Sequence, residues 1–250
     1  MTEKAESENI EDDQNSADEA PQGPFHVPGG WCRESLECGE ELFTLTHPAQ
    51  PDLLLDDPNV LSENESTVYI PYWALLWPAA RRMVEMFQFG QWTPGASCLE
   101  IGCGIGLVGL GALRQGLHVT FSDYRKEAVA LSCWNAEKAG YQSGKDFKGL
   151  QLDWNDPPTD QKFDHIFGCE VVYETDFHKP ILAAMNQLLA PGGSCWFGDS
   201  GRMNSEKFLS LAISTGWKIE RLDRELKPLT EPQIGRFQVF CLQRESSPVT

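Results

Sequence analysis

No stretch of the chain approaches the about 18 consecutive apolar residues that a membrane-spanning helix needs, so none is expected. The first twenty residues also lack the basic start and apolar centre of a secretory leader. None of the eight cysteines (Cys32, Cys38, Cys98, Cys103, Cys133, Cys169, Cys195 and Cys241) stands in a Cys-x-x-Cys pair, and no Cys/His cluster has zinc spacing. A metal centre is therefore not expected. Ser97-Cys98-Leu99 and Ser194-Cys195-Trp196 place their thiols beside apolar residues, as small buried hydrophobes. A reduced, cytoplasmic setting fits this usage better than a disulfide framework. Positive charge is scarce as well. Twenty Lys and Arg face 37 Asp and Glu, for a net charge of −17. Such a surface repels phosphate backbones, so neither nucleic acid nor membrane is expected as a partner.

The acids are unevenly spread. Residues 1–20 carry eight acids against Lys4 alone, or −7, which leaves −10 for the rest. With almost no large apolar side chains, residues 1–24 cannot offset their ordering entropy and are expected to be a disordered acidic tail. Pro21, Pro24 and Pro28-Gly29-Gly30 close it off. Residues 25–70 read as a small N-terminal addition, with strands at Leu42–Thr46 and Thr67–Ile70 around a Pro/Asp-rich loop. Residues 71–250 read as the main domain.

In that domain strand and helix signals alternate. Pro78 suits an early helical position ahead of Ala79, Met83, Met86 and Phe87, which have helical spacing. Strands are expected at 98–101, 118–121, 149–152, 165–168 and 194–198. Helices are expected at 106–114, 126–139, 180–189 and 205–214, the third ended by Pro191-Gly192-Gly193. Two final strands, at 217–220 and 237–241, have no evident helix between them. The pattern implies an α/β, Rossmann-like, doubly wound and mostly parallel sheet with a C-terminal antiparallel hairpin.

Glu100-Ile101-Gly102-Cys103-Gly104-Ile105-Gly106 falls where the first of these strands hands over to a helix. Glycines there let the backbone turn tightly and approach a ligand, and the helix start offers unpaired N–H groups. Spacing alone leaves two registers open. Gly102, Gly104 and Gly106 form one. Gly104, Gly106 and Gly109 form the dinucleotide fingerprint. Glu100 separates them, because a carboxylate beside the loop repels a pyrophosphate and attracts an ammonium. Asp123, just past the second strand, can accept hydrogen bonds from a ribose or from the start of the next helix. Asp153 can accept from an adenine amino group with Trp154 over the ring, or simply make a turn before Pro157-Pro158.

In order and spacing, Glu100-x-Gly102-x-Gly104-x-Gly106, then Asp123, then Asp153-Trp154 resemble the cofactor-binding series of the seven-stranded (class I) S-adenosylmethionine-dependent methyltransferases. The resemblance runs from Tyr72 to Cys241. More narrowly, Pro71-Tyr72-Trp73-Ala74-Leu75-Leu76-Trp77-Pro78 and Glu170-Val171-Val172-Tyr173 are similar to segments of the lysine methyltransferase group of methyltransferase family 16, with Glu170 in place of the usual Asp. The resemblance implies S-adenosyl-L-methionine as cofactor. It implies that Trp77 lines the pocket and that Gly102, Gly104 and Gly106 lie against the methionine part. Asp123 would hold the ribose, and Asp153 and Trp154 the adenine end. Cys169 would lie beside the sulfonium, with the catalytic pair Glu170 and Tyr173 facing the acceptor. That acceptor would be a lysine-like protein side chain or a small amine. From the residues alone, an NAD-dependent oxidoreductase and a non-catalytic nucleotide-binding module on the same fold stand as alternatives. The five scattered histidines offer no Ser/His/Asp arrangement, and a surface role is expected for His178.

Overall fold

Side chains alternate across the opening strand of the main sheet, and that alternation sets its two faces. Cys98 packs into one apolar cluster, whereas Leu99 and Ile101 pack into another on the opposite side. A strand buried on both faces must lie inside a covered sheet. The computed structural model describes residues 20–56, 60–61, 70–158 and 160–244, and among these the expectation holds. Two strands, β1 (Trp31–Cys38) and β2 (Glu41–Pro48), form an antiparallel hairpin. Seven more form one sheet: β3 (Ser97–Ile101), β4 (His118–Asp123), β5 (Phe147–Gln151), β6 (Phe163–Cys169), β7 (Leu189–Asp199), β8 (Trp217–Leu222) and β9 (Gln238–Arg244). Their order is β5-β4-β3-β6-β7-β9-β8. The first five pair in parallel, and β9 runs antiparallel to both β7 and β8, as the missing helix before the last strand implied.

Helices α1 (Pro78–Met86), α2 (Leu107–Arg114) and α3 (Lys126–Lys138) cover one face, where Met83, Phe87, Leu110 and Leu131 meet Cys98, Phe121 and Phe167. Helices α4 (His178–Leu188) and α5 (Met203–Ser214) cover the other, where Ile181, Met185 and Phe208 meet Leu99, Ile166 and Phe240. Pro78 opens α1 as expected.

Three details depart from the reading of the sequence. The strand Trp31–Cys38 was not expected; it buries only Leu36 and Cys38, so its pattern is faint. Pro191-Gly192-Gly193 does not separate α4 from a later strand. It lies inside β7, whose pairing with β6 jumps from Phe163↔Leu189 to His165↔Ser194. A Cβ on Gly193 would stand 2.7 Å from the Asp164 carbonyl oxygen, so this bulge accepts little but glycine. His178 is buried rather than on the surface, with Nε2 3.1 Å from the Val172 carbonyl oxygen and its ring against Phe208. The strand expected at Thr67–Ile70 lies, but for Ile70, outside the described residues, as does most of the acidic tail.

Besides its apolar contacts with the core, the hairpin is tied to the main body by a buried side chain. Asn135 on α3 accepts from the Thr46 N–H (2.8 Å) and donates to the carbonyl oxygens of Thr46 (3.0 Å) and Ile105 (2.9 Å). It thus joins β2 to the glycine-rich turn.

Candidate cofactor and acceptor site

The strand order reverses between β3 and β6, since β3 is followed outward by β4 on one side and by β6 on the other. Ligands of open α/β sheets sit at that point, beyond the carboxyl ends of the strands. A cavity of about 810 Å³ opens there. Every residue named for the site from the sequence except Gly106 lines it: Trp77, Glu100, Gly102, Gly104, Asp123, Asp153, Trp154, Cys169, Glu170 and Tyr173. Gly106 stands one step behind, as the residue that caps the start of α2.

The turn is built by glycines that nothing else could replace. Gly102, Gly104 and Gly106 have φ of 62°, 51° and 85°, a region costly for residues with a Cβ. Space is short as well. A Cβ would stand 2.8 Å from Val171 at Gly102 and 2.8 Å from Ser132 at Gly106. Two acids then pin the turn. Asp123 Oδ2 accepts from Gly104 N–H (3.1 Å) and Oδ1 from Arg125 N–H (2.9 Å), so the carboxylate ties the turn to the start of α3. Burial pushes the Asp123 carboxyl up, against the downward pull of those N–H groups. Asp123 therefore does serve the next helix start, and it also lines the cavity. Glu100 lies beneath the turn, only 3% exposed, and accepts from the Gly109 N–H (2.9 Å). Burial pushes its carboxyl up to about 8. At Gly109 a Cβ would stand 2.3 Å from Phe121 and 2.6 Å from Glu100 Oε2, so this glycine serves packing.

On the next strand end, Asp153 is exposed and its Oδ1 accepts from the N–H (2.8 Å) and side-chain amide (2.9 Å) of Asn155. The turn role is thus real, and the residue still borders the cavity. Trp154 stands edge-on to Phe177, and its buried indole N–H has no hydrogen-bond partner among the described residues.

The far end of the cavity is made by β6 and β7. Cys169 closes β6, where burial pushes its thiol up. Glu170 follows with φ of 59°, a left-handed conformation rare for a residue with a side chain. Its N–H donates to the Gly198 carbonyl (2.9 Å), which holds this bend against β7. Its side chain is 4% exposed, and Oε2 lies 2.5 Å from Nη1 of Arg202. Burial pushes the Glu170 carboxyl up, with Arg202 opposing. Tyr173 packs edge-on to Tyr72, which in turn meets Trp77. Burial pushes the Tyr173 hydroxyl up to about 12. The sequence reading missed Arg202, as well as Leu152 and Phe177, which add apolar wall near Trp154. For Arg202 the available signal was its place just after the expected fifth parallel strand.

These residues suit a sulfonium nucleoside. The cavity joins a glycine turn, an acid at the ribose position of nucleotide folds, a flat aromatic with a free indole N–H and a buried carboxylate under the turn. The dinucleotide register fits less well. Glu100 already takes an N–H of the first turn of α2, and a pyrophosphate there would meet its carboxylate. Among the described residues no group of three or more potential metal ligands gathers, and no helix is long and apolar enough to cross a membrane.

Comparison with known proteins points the same way. A family described as "Methyltransferase domain" matches residues 99–195. The histone-arginine methyltransferase METTL23 of Rattus norvegicus is 28% identical over 201 residues, which cover 74% of this chain and 88% of that one. Ubiquinone biosynthesis O-methyltransferase of Psychrobacter cryohalolentis is 25% identical over 130 residues, 52% of this chain; this chain spans about half the length of that relative, 50%. Among solved structures, a TehB-like SAM-dependent methyltransferase of Corynebacterium glutamicum superimposes with a TM-score of 0.54 at 21% identity, over 80% of this chain and all of that one (100%). The methyltransferase domain matched over residues 99–195, the seven-stranded sheet and the cavity at its switch point support a class I, seven-stranded S-adenosylmethionine-dependent methyltransferase.

Proposed function

We propose that this chain transfers a methyl group to a nitrogen brought to the Glu170 end of the cavity, the acceptor being a lysine-like protein side chain or a small amine. S-adenosylmethionine supplies a methyl group already activated on a sulfonium. The chain's own task is then to align, to exclude water and to manage one proton. In this reading Glu100 faces the cofactor's ammonium, and Gly102, Gly104 and Gly106 carry its methionine part. Asp123 grips the ribose, and Asp153 and Trp154 hold the adenine end. Trp77 forms a wall and Cys169 lies by the sulfonium.

The observation that carries the reading is Glu170. A carboxylate only 4% exposed, bordered by aromatic rings at the end of the cavity and already paired with the Arg202 guanidinium, makes a seat suited to a cation. It orients the amine and balances the positive charge that grows on nitrogen during the displacement. Burial raises its carboxyl above the usual carboxylate range, with Arg202 pulling the other way. Tyr173 flanks the same space. Of the two relatives above, one is named for oxygen transfer and matches 52% of this chain, while the one that matches 74% is named for arginine, a nitrogen acceptor, and that wider match supports nitrogen here.

Within this reading residues 1–24 are an acidic tail, residues 25–70 an addition and residues 71–250 the methyltransferase domain. A cytoplasmic location is supported by the eight cysteines, all free thiols. The test is incubation of the purified chain and labelled cofactor with a cell extract. Label in protein, stable to base and sitting on nitrogen, is the expected outcome. Bound cofactor with no label in any nitrogen acceptor would defeat the proposal.

A further inference from the structure

Arg202 lies between the groups to which the proposed function assigns the acceptor. Its Nη1 is 2.5 Å from Glu170 Oε2, and its Cζ is 5.6 Å from the Trp77 ring centroid and 5.8 Å from that of Tyr173. A guanidinium held by a buried carboxylate with aromatic faces beside it is how a protein binds a cationic side chain. Here the cation comes from the same chain.

The backbone beneath it is fixed. Asp199, fully buried at the end of β7, accepts from the N–H groups of Gly201 (2.7 Å) and Arg202 (2.8 Å). Gly201, at φ of 81°, accepts at its carbonyl from the Gly235 N–H (3.0 Å), and a Cβ on it would stand 2.0 Å from the Gln233 carbonyl oxygen. Asn204 donates to the Tyr173 carbonyl (2.7 Å), tying the start of α5 to the same wall. These bonds hold the backbone at Arg202 and leave its side chain tied by the Glu170 ion pair. That side chain is 31% exposed against 4% for Glu170, so it reaches inward from the rim.

We propose that Arg202 is a tethered stand-in for the acceptor, holding the cation seat formed by Glu170, Trp77 and Tyr173 until an incoming cation displaces it. This rests on the methyl-transfer reading above, and it adds a residue that sets how readily acceptors enter. A seat occupied from within lowers apparent affinity by the fraction of time it is free. An acceptor must therefore match the carboxylate and rings better than Arg202 does. A weak neutral amine is refused.

The test uses the full chain loaded with S-adenosylhomocysteine and the probe N-acetylarginine amide, whose head repeats that of Arg202. Calorimetry measures both cofactor and probe for wild type, R202A and R202M, the last keeping apolar bulk against the rings. Probe binding is expected to tighten about tenfold in R202A or R202M, the factor for a seat held nine-tenths of the time. Cofactor affinity should stay within about twofold, as a residue outside its contacts implies, and adding E170Q should abolish the gain. Probe binding that is unchanged, weaker or undetectable in cofactor-loaded R202A and R202M overturns the proposal, because Arg202 would then build the site rather than fill it. Failure of the wild type itself to bind the cofactor would instead strike at the proposed function.

Discussion

The two ends of the cavity are built by different means. At the glycine-rich end, buried acids hold backbone: Glu100 takes the Gly109 N–H, and Asp123 takes those of Gly104 and Arg125. At the other end, side chains from distant parts of the chain hold one another. Glu170 meets Arg202, and Tyr173 meets Tyr72. Backbone partners are present whatever the neighbouring side chains, so the first end is stiff and general. Side-chain partners can be exchanged one at a time, so the second is where specificity can be retuned. This division suits an enzyme that binds one fixed cofactor and one particular acceptor.

Substitutions can break that contrast, and the largest effect is expected at Asp123. Asp123→Ala removes the carboxylate proposed to accept from both ribose hydroxyls; at about 1.5 kcal/mol for each such charge-assisted hydrogen bond, a loss of about 100-fold in cofactor affinity is expected by calorimetry. Unchanged binding would show that the first end does not depend on this acid. Glu170→Gln tests the other end. Turnover should fall about 30-fold, roughly 2 kcal/mol of transition-state stabilisation, with cofactor affinity preserved; a matching loss of affinity would mean that the two ends are not separable. Gly109→Ala drives a Cβ into Phe121 and Glu100 and should cost about 1–2 kcal/mol in urea unfolding, as overpacking does. A neutral result there would show that the turn has slack. The smallest effect is one of pH. The Glu100 carboxyl is raised to about 8 by burial, and an ammonium beside it favours the ionised form. Binding should therefore release a proton below about 8, so affinity rises with pH through neutrality and levels off above that value. Titration in buffers of different ionisation enthalpy reads the release, and Glu100→Gln should remove it.

The same contrast explains what could be read from the sequence. The parallel strands and the turn between β3 and α2 were legible because local rules fix them: alternating apolar residues, glycines at a strand end, an acid just past the next strand. Trp77, Glu170 and Tyr173 came from resemblance, since no local rule marks a Trp or a Tyr as lining a cavity. Arg202 left only a faint signal, its place just after the fifth parallel strand. Its partner Glu170 is 32 positions away, and only the pairing of β6 with β7 brings the two strand ends together. The first strand of the hairpin was missed because Cys32-Arg33-Glu34-Ser35 presents no buried residue in a row. The bulge in β7 was read as a terminus because Pro191-Gly192-Gly193 signals a turn, which it makes without ending the strand.

Asn135 gives the hairpin a meaning beyond its own contacts. By meeting both the N–H and the carbonyl of Thr46, its amide imitates a neighbouring strand for one rung and leaves that stretch of β2 no open edge for foreign chains to join. With its second amide hydrogen it also grips Ile105, which lines the cavity at the glycine-rich turn. Tugging on the hairpin would thus be felt at the glycine-rich turn, and a partner seated on β1 and β2 would have a short mechanical route to the cavity.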